Sequence, residues 1–338
     1  MSYLQTEFPL FSDPQFERLK TVLLRLGKPD RVPYYELFVN REVMEVILGK
    51  TIVDCRDTVE FYHRLGYDYV PAWPHRELKV GSLVDRSLGY PISDWDTFNS
   101  YEWPPTDSID FSEFDMVKPL LPKGMKIIGE TGGILENIEA LVGYEQLCYM
   151  LADQPDLVEA ILARVGELYE AMYAGMSCRE EVGAVVISDD LGFKTQTLIS
   201  PNELRRHILP RHRKLAEIIH ESGKPCILHS CGRLEEIMED IIEDVGIDAK
   251  HSYEDQILPV ERAMDLYGDR IAILGGFDVD KLTRFSEDEV RSYTNTLLEA
   301  LSGGGGYALG SGNSIPGFIP VANYLAMLGE GYRYARAG

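Results

Sequence analysis

Eight times along the chain, a short apolar run that reads as a β-strand is followed by a stretch with the spacing of an amphipathic helix. That alternation limits the fold more than any single motif does. Strands separated by helices pair in parallel, and the helices cover the sheet. The strand candidates are residues 31–37, 67–73, 125–130, 183–188, 226–229, 247–252, 271–275 and 306–310. Helical patterns follow at 41–48 and 58–65, at 134–151 and 155–178, and then at 202–222, 233–245, 259–267, 286–301 and 320–335. Eight such units in 338 residues predict an α/β fold of the (β/α)8 TIM-barrel kind. An open doubly wound sheet would carry Gly-x-Gly-x-x-Gly in its first β/α turn, and that turn has none.

The pattern predicts one domain over 1–338, with two departures from the rhythm. Residues 1–30 form an N-terminal helical segment, with Phe16, Leu19, Val22, Leu23 and Leu26 on one face and Gly27 and Pro29 as its stop. Residues 74–120, after the second strand, are rich in Pro, Asp, Ser and Trp and read as a loop-rich insertion with room for a hairpin. Ser286 and Glu289 make a capping box at the start of the 286–301 helix. No apolar run is long enough for a membrane span, and the first residues are acidic and aromatic, unlike a signal peptide. Five scattered cysteines then point to reduced thiols in the cytoplasm. A net charge of -22 argues against nucleic acid and slightly favours neutral or cationic ligands or a basic protein partner; a small-molecule substrate is the expected partner. Nothing in the pattern forbids a homodimer.

A barrel gathers the carboxyl ends of its strands around one mouth, so the polar residues there become neighbours. In chain order they are Glu36, His75, Glu130 with Thr131, Asp189 with Asp190, His229 with Cys231, His251 with Glu254, Asp278, and Ser311 with Asn313. The plain alternatives stand beside each. Asp190 and Asp278 have the placement of helix caps or salt-bridge members, His75 and His251 that of polar loop residues. His207, His212 and His220 fall inside a helical pattern and read as surface or packing residues. His229 and Cys231 combine imidazole and thiol at one strand end, half of a soft metal site. A buried cysteine beside a core histidine is the competing reading. A tetrahedral zinc needs further ligands; Glu254 and His251 are the nearest, and Asn313 a poor one. The glycine run 303–306 precedes its strand, so it reads as a turn at the opposite end. The 310–314 segment, after the strand, has backbone N–H groups that suit an anion.

Several segments together resemble a known family: Pro29-Asp30-Arg31-Val32-Pro33, residues 183–189, His229-Ser230-Cys231-Gly232 with Gly246-Ile247-Asp248, Ile273-Leu274-Gly275-Gly276-Phe277-Asp278, and Gly306-Tyr307 followed by Ile315-Pro316 and Pro320 to Asn323. In order and spacing, from about residue 16 to 335, the chain resembles the uroporphyrinogen decarboxylase superfamily, which also holds cobalamin-dependent methyltransferases. The resemblance implies a (β/α)8 barrel. Its decarboxylase branch has substrate-binding arginines after the first strand, where this chain has only Arg41, and an aspartate after the second, where 69–73 ends in Trp73 without an acid.

The methyltransferase branch binds zinc through His-x-Cys after strand five and a cysteine after strand eight, with an acidic residue after strand six. Here His229 and Cys231 match, Glu254 falls near the acidic position, and Asn313 stands where the second cysteine would be. The resemblance therefore implies zinc at His229, Cys231 and Glu254, with a corrinoid delivered by a separate corrinoid protein, since no Asp-x-His-x-x-Gly is present. Glu36, Glu130, Asp189 and Glu254 are the expected catalytic residues. Arg41, Trp73, His75, Asp278, Ser311 and Asn313 are the expected substrate contacts. Two alternatives stay open: a cofactor-free decarboxylase using Asp189 or Glu130, and a tetrapyrrole-binding protein without turnover.

Overall fold

A computed structural model describes residues 13–75, 78 and 89–337. The start of the N-terminal segment and part of the 74–120 insertion lie outside the described residues. Seven strands pair in parallel and in strict chain order: β1 Tyr69–Ala72, β2 Lys126–Gly129, β3 Val182–Ser188, β4 Cys226–His229, β5 Ala249–His251, β6 Ala272–Leu274 and β7 Tyr307–Ala308. Apart from Lys126 and Gly183, Ser188 and Lys250 at the ladder's margins or in its middle, the strands are apolar or end in histidine, and almost all of them are buried. Burial of both faces is what a parallel sheet under helices requires.

The first strand candidate, 31–37, does not become a ladder strand. It contributes single parallel bridges, Tyr34 to Leu309 and, further on, Val39 to Ile315. Tyr35 N–H donates to the Leu309 carbonyl at 2.8 Å, and Leu309 N–H to the Pro33 carbonyl at 2.9 Å. On its other side the Tyr69 hydroxyl stands in for a ladder, accepting from Glu36 N–H at 2.8 Å. Pro33, directly before the segment's two tyrosines, has no N–H to give to a ladder.

The sheet curls. The helix Phe16–Leu23 touches both β3 and β7, and the Tyr35 ring meets the His251 ring edge-on at 4.9 Å. That helix buries Phe16, Leu19, Val22 and Leu23, as its spacing predicts. The insertion holds more order than its composition suggests. Short helices cover Trp95–Ser100 and Ser112–Val117, the first behind an Asp94–Thr97 capping box. An antiparallel bridge between His75 and Asp110 closes its base. The 202–222 pattern is a helix interrupted by a π turn at Leu204–Ile208, and Ser286 caps Glu287–Leu301 as expected. Among the described residues no helix is long and apolar enough to cross a membrane.

Candidate metal centre at the ends of β4 and β5

The sheet's register sets His229 beside His251 and Ser188 beside His229 at the carboxyl edge. Past β4 the chain turns sharply through Gly232, whose φ is +85°. A Cβ there would lie 2.2 Å from the Gly192 carbonyl carbon, so only glycine lets the 190–193 loop lie against it. This packing presents Cys231. Its N–H donates to Asp190 Oδ1 at 2.8 Å, and its Sγ lies 3.7 Å from His229 Nε2. The donor atoms of Asp190, His229 and Cys231 all fall within 4.8 Å of one another.

Two hydrogen bonds converge on the sulfur, from Asn313 Nδ2 at 3.1 Å and from Ser252 Oγ at 3.4 Å. Ser252 is held at a φ of +81°, a conformation that costs a non-glycine residue about 1 kcal/mol or more. Lys250 props that turn up. Its buried ammonium spends all three hydrogens on the carbonyls of Ser230 (3.2 Å), His251 (3.1 Å) and Ser252 (2.7 Å), tying β4 to β5. Burial pulls the Lys250 amine down to about 8. It also lowers the His251 imidazole to about 3 and His229 well below its usual range, so both rings are neutral at pH 7. Burial, with Asp190 alongside, pushes the Cys231 thiol up to about 12.

These residues fit a metal. An ion about 2.0–2.1 Å from nitrogen and about 2.3 Å from sulfur in tetrahedral geometry sets its N and S donors about 3.6 Å apart. His229 and Cys231 have that spacing already. Neutral imidazole, a sulfur that receives two donors, and a carboxylate make a zinc-type donor set. A cation would also offset what burial costs the thiolate.

The other expected site residues divide. Asn313 touches Cys231 as a hydrogen-bond donor. Ser311 sits against Glu36, its N–H on Oε1 at 2.8 Å and its hydroxyl on Oε2. Burial raises Glu36 to about 8 and Glu130 well above the carboxylate range, and Glu130 Oε1 and Tyr35 Oη have no hydrogen-bond partner among the described residues. Glu254 and Asp278 line a cavity of ≈ 520 Å³ that opens beside Asn313, with Lys194 and Phe318 on its wall. Asp278 is also a cap, accepting from Asp280 and Lys281 N–H.

Four residues face elsewhere. Asp189 accepts from His212 Nε2 at 2.8 Å and from the N–H groups of Leu135 and Glu136, so it caps the Ile134–Val142 helix from a fully buried position. Arg41 pairs with Glu45 on the surface. His75 pairs with Glu113 at the base of the insertion, and Trp73 sits at the same base. Sequence reasoning placed Asp190 at the mouth as a cap or salt-bridge member and His212 as a surface or packing residue, and it passed over Lys250. A lysine inside an apolar strand is the one signal that pointed to Lys250.

The fold and the site define a parallel α/β protein with a soft-metal donor set mounted at its strand ends. The profile of the family described as uroporphyrinogen decarboxylase (URO-D) matches residues 109–334, the greater part of the chain, and the protein belongs to that family. Among solved structures, a methyltransferase from Methanosarcina mazei superposes with a TM-score of 0.69 at 17% identity, covering 94% of this chain and 98% of its own. A xylanase from Paenibacillus barcinonensis reaches a TM-score of 0.48 at 10% identity, covering 96% and 100%. At 17% identity the likeness to the methyltransferase is one of fold. No curated protein matches the sequence.

Proposed function

We propose that the protein is a corrinoid-linked methyltransferase, moving a methyl group between a small methylated substrate or thiol and a corrinoid carried by a separate protein. In this reading the sheet closes as an eight-unit barrel through the Tyr34–Leu309 bridge, and His229, Cys231 and Asp190 hold zinc. The observation that carries it is the 3.7 Å spacing of His229 Nε2 and Cys231 Sγ, with two hydrogen bonds aimed at the sulfur. The methyltransferase described for the Methanosarcina neighbour supports it. Zinc, when bound, supplies a Lewis acid that lowers a thiol's pKa or polarises a leaving group.

The chain's own residues do the rest. Asn313 and Ser252 fix the sulfur, and Lys250 fixes the backbone on either side of it. The cavity beside Asn313 takes the substrate, and its carboxylates Glu254 and Asp278 favour a cationic or hydroxylated molecule. Glu254 serves there as a substrate contact, with Asp190 as the acidic ligand. Glu36, raised by burial to about 8, and Glu130, raised by burial in the same direction, are suited to give a proton to a departing group. The decarboxylase reading loses support, because Asp189 is committed to His212 and a helix end, and Arg41 to Glu45.

The test is to mix the purified protein with reduced cobalamin and a panel of methylated thiols, amines and methoxy compounds. Methylcobalamin absorbance should grow with at least one class and vanish in Cys231→Ser. Decarboxylation of a porphyrinogen, with no methyl transfer from any class, would overturn the reading.

A further inference from the structure

Two imidazole rings meet inside the mouth, with His229 Nδ1 2.9 Å from His251 Nδ1. Two lone pairs cannot make that contact, so one ring donates. The far side of His251 decides which. Its Nε2 lies 3.2 Å from the Ser311 carbonyl oxygen, an atom that only accepts, so Nε2 carries a hydrogen. Ser311 is itself fixed, since its N–H and hydroxyl both bind Glu36. A second hydrogen on His251 would make a fully buried imidazolium whose own carbonyl already receives the Lys250 ammonium. The hydrogen-bond partners of that ring include no carboxylate to offset the charge. Nδ1 of His251 is therefore bare, and the shared hydrogen belongs to His229. That leaves His229 Nε2 as a lone pair on the side facing Cys231.

We infer that His251 is a positioning residue: it locks His229 in the Nδ1–H tautomer and so keeps Nε2 open as a ligand atom. An imidazole in water favours the opposite tautomer, so the arrangement works against the ring's own preference. The partner of the second ring nitrogen is what sets a ligating histidine's tautomer and orientation. The consequence for metal binding rests on the zinc reading above; the tautomer belongs to the metal-free protein and does not.

The experiment uses the full chain with ring-nitrogen-labelled histidine, freed of metal by a chelator. The His229 signals, assigned by their loss in His229→Ala, should show a protonated Nδ1 and a bare Nε2. A protonated Nε2 would overturn the inference. Zinc titrated against a competing chelator supplies the second readout. His251→Phe should weaken binding about 10- to 100-fold, and His251→Asn, whose Oδ1 can accept from His229, should recover much of it. Unchanged zinc affinity in His251→Phe would also overturn it. A wild-type protein that takes up no zinc would end the metal reading, and the nitrogen spectrum would still decide the tautomer.

Discussion

Asn313 is the residue at which this chain parts from the zinc pattern its sequence resembles, and the structure gives it a different task. Its amide donates to Cys231 Sγ at 3.1 Å, so it supports one sulfur where a second sulfur would ligate. Asn313→Cys should then convert the donor into a ligand and tighten zinc roughly tenfold or more, read by chelator competition. Glu36 carries a second expectation. Burial raises its folded pKa to about 8, above the unfolded value, so the folded state holds the proton longer. Stability should fall as pH rises from about 4.5 towards 8. Glu36→Gln keeps an acceptor for Ser311 and should flatten that slope in urea denaturation at pH 5.5 and 8. At this scale, residue type and strand-end position made His229 and Cys231 legible in the sequence. The roles of Asp190, Lys250 and His251 were not, because each is set in part by a neighbour from another strand.

The elements show what periodicity can and cannot carry. The alternation of buried runs and amphipathic stretches predicted β1 to β7 in order, since burial on both faces leaves a readable apolar run. The 31–37 segment misled because tertiary contact decides pairing: Pro33 and the Tyr69 hydroxyl reduce it to bridges. Below the sheet, the family-like Pro-Asp-Arg segment joins a buried charge cluster. Arg18 reaches Asp68 at 2.6 Å and Asp30 at 2.5 Å, while Arg31 reaches Asp68 at 3.2 Å. Asp68 just precedes β1 and ties the Phe16–Leu23 helix and the 29–33 segment to it. Asp68→Asn would leave two buried guanidinium groups under-compensated, and should cost about 3–5 kcal/mol in thermal or urea unfolding. Metal affinity, set at the opposite end, should not change with it.

For the molecule as a whole, the Phe16–Leu23 helix packs against one end of the curled sheet while the candidate metal centre lies at the other. Its four apolar residues are at most 3% exposed. Burying each is worth about 1.5–3 kcal/mol, a sum comparable to the entire stability of an ordinary domain, about 5–15 kcal/mol. Removing residues 1–30 should therefore abolish cooperative unfolding, seen as a missing transition in calorimetry. Zinc measured per chain after purification without chelator decides whether His229 and Cys231 are metal ligands. Wild type should carry stoichiometric zinc, and His229→Ala and Cys231→Ser should each lose it while keeping the wild-type circular dichroism. A metal-free wild type, or zinc retained in both folded variants, would contradict it.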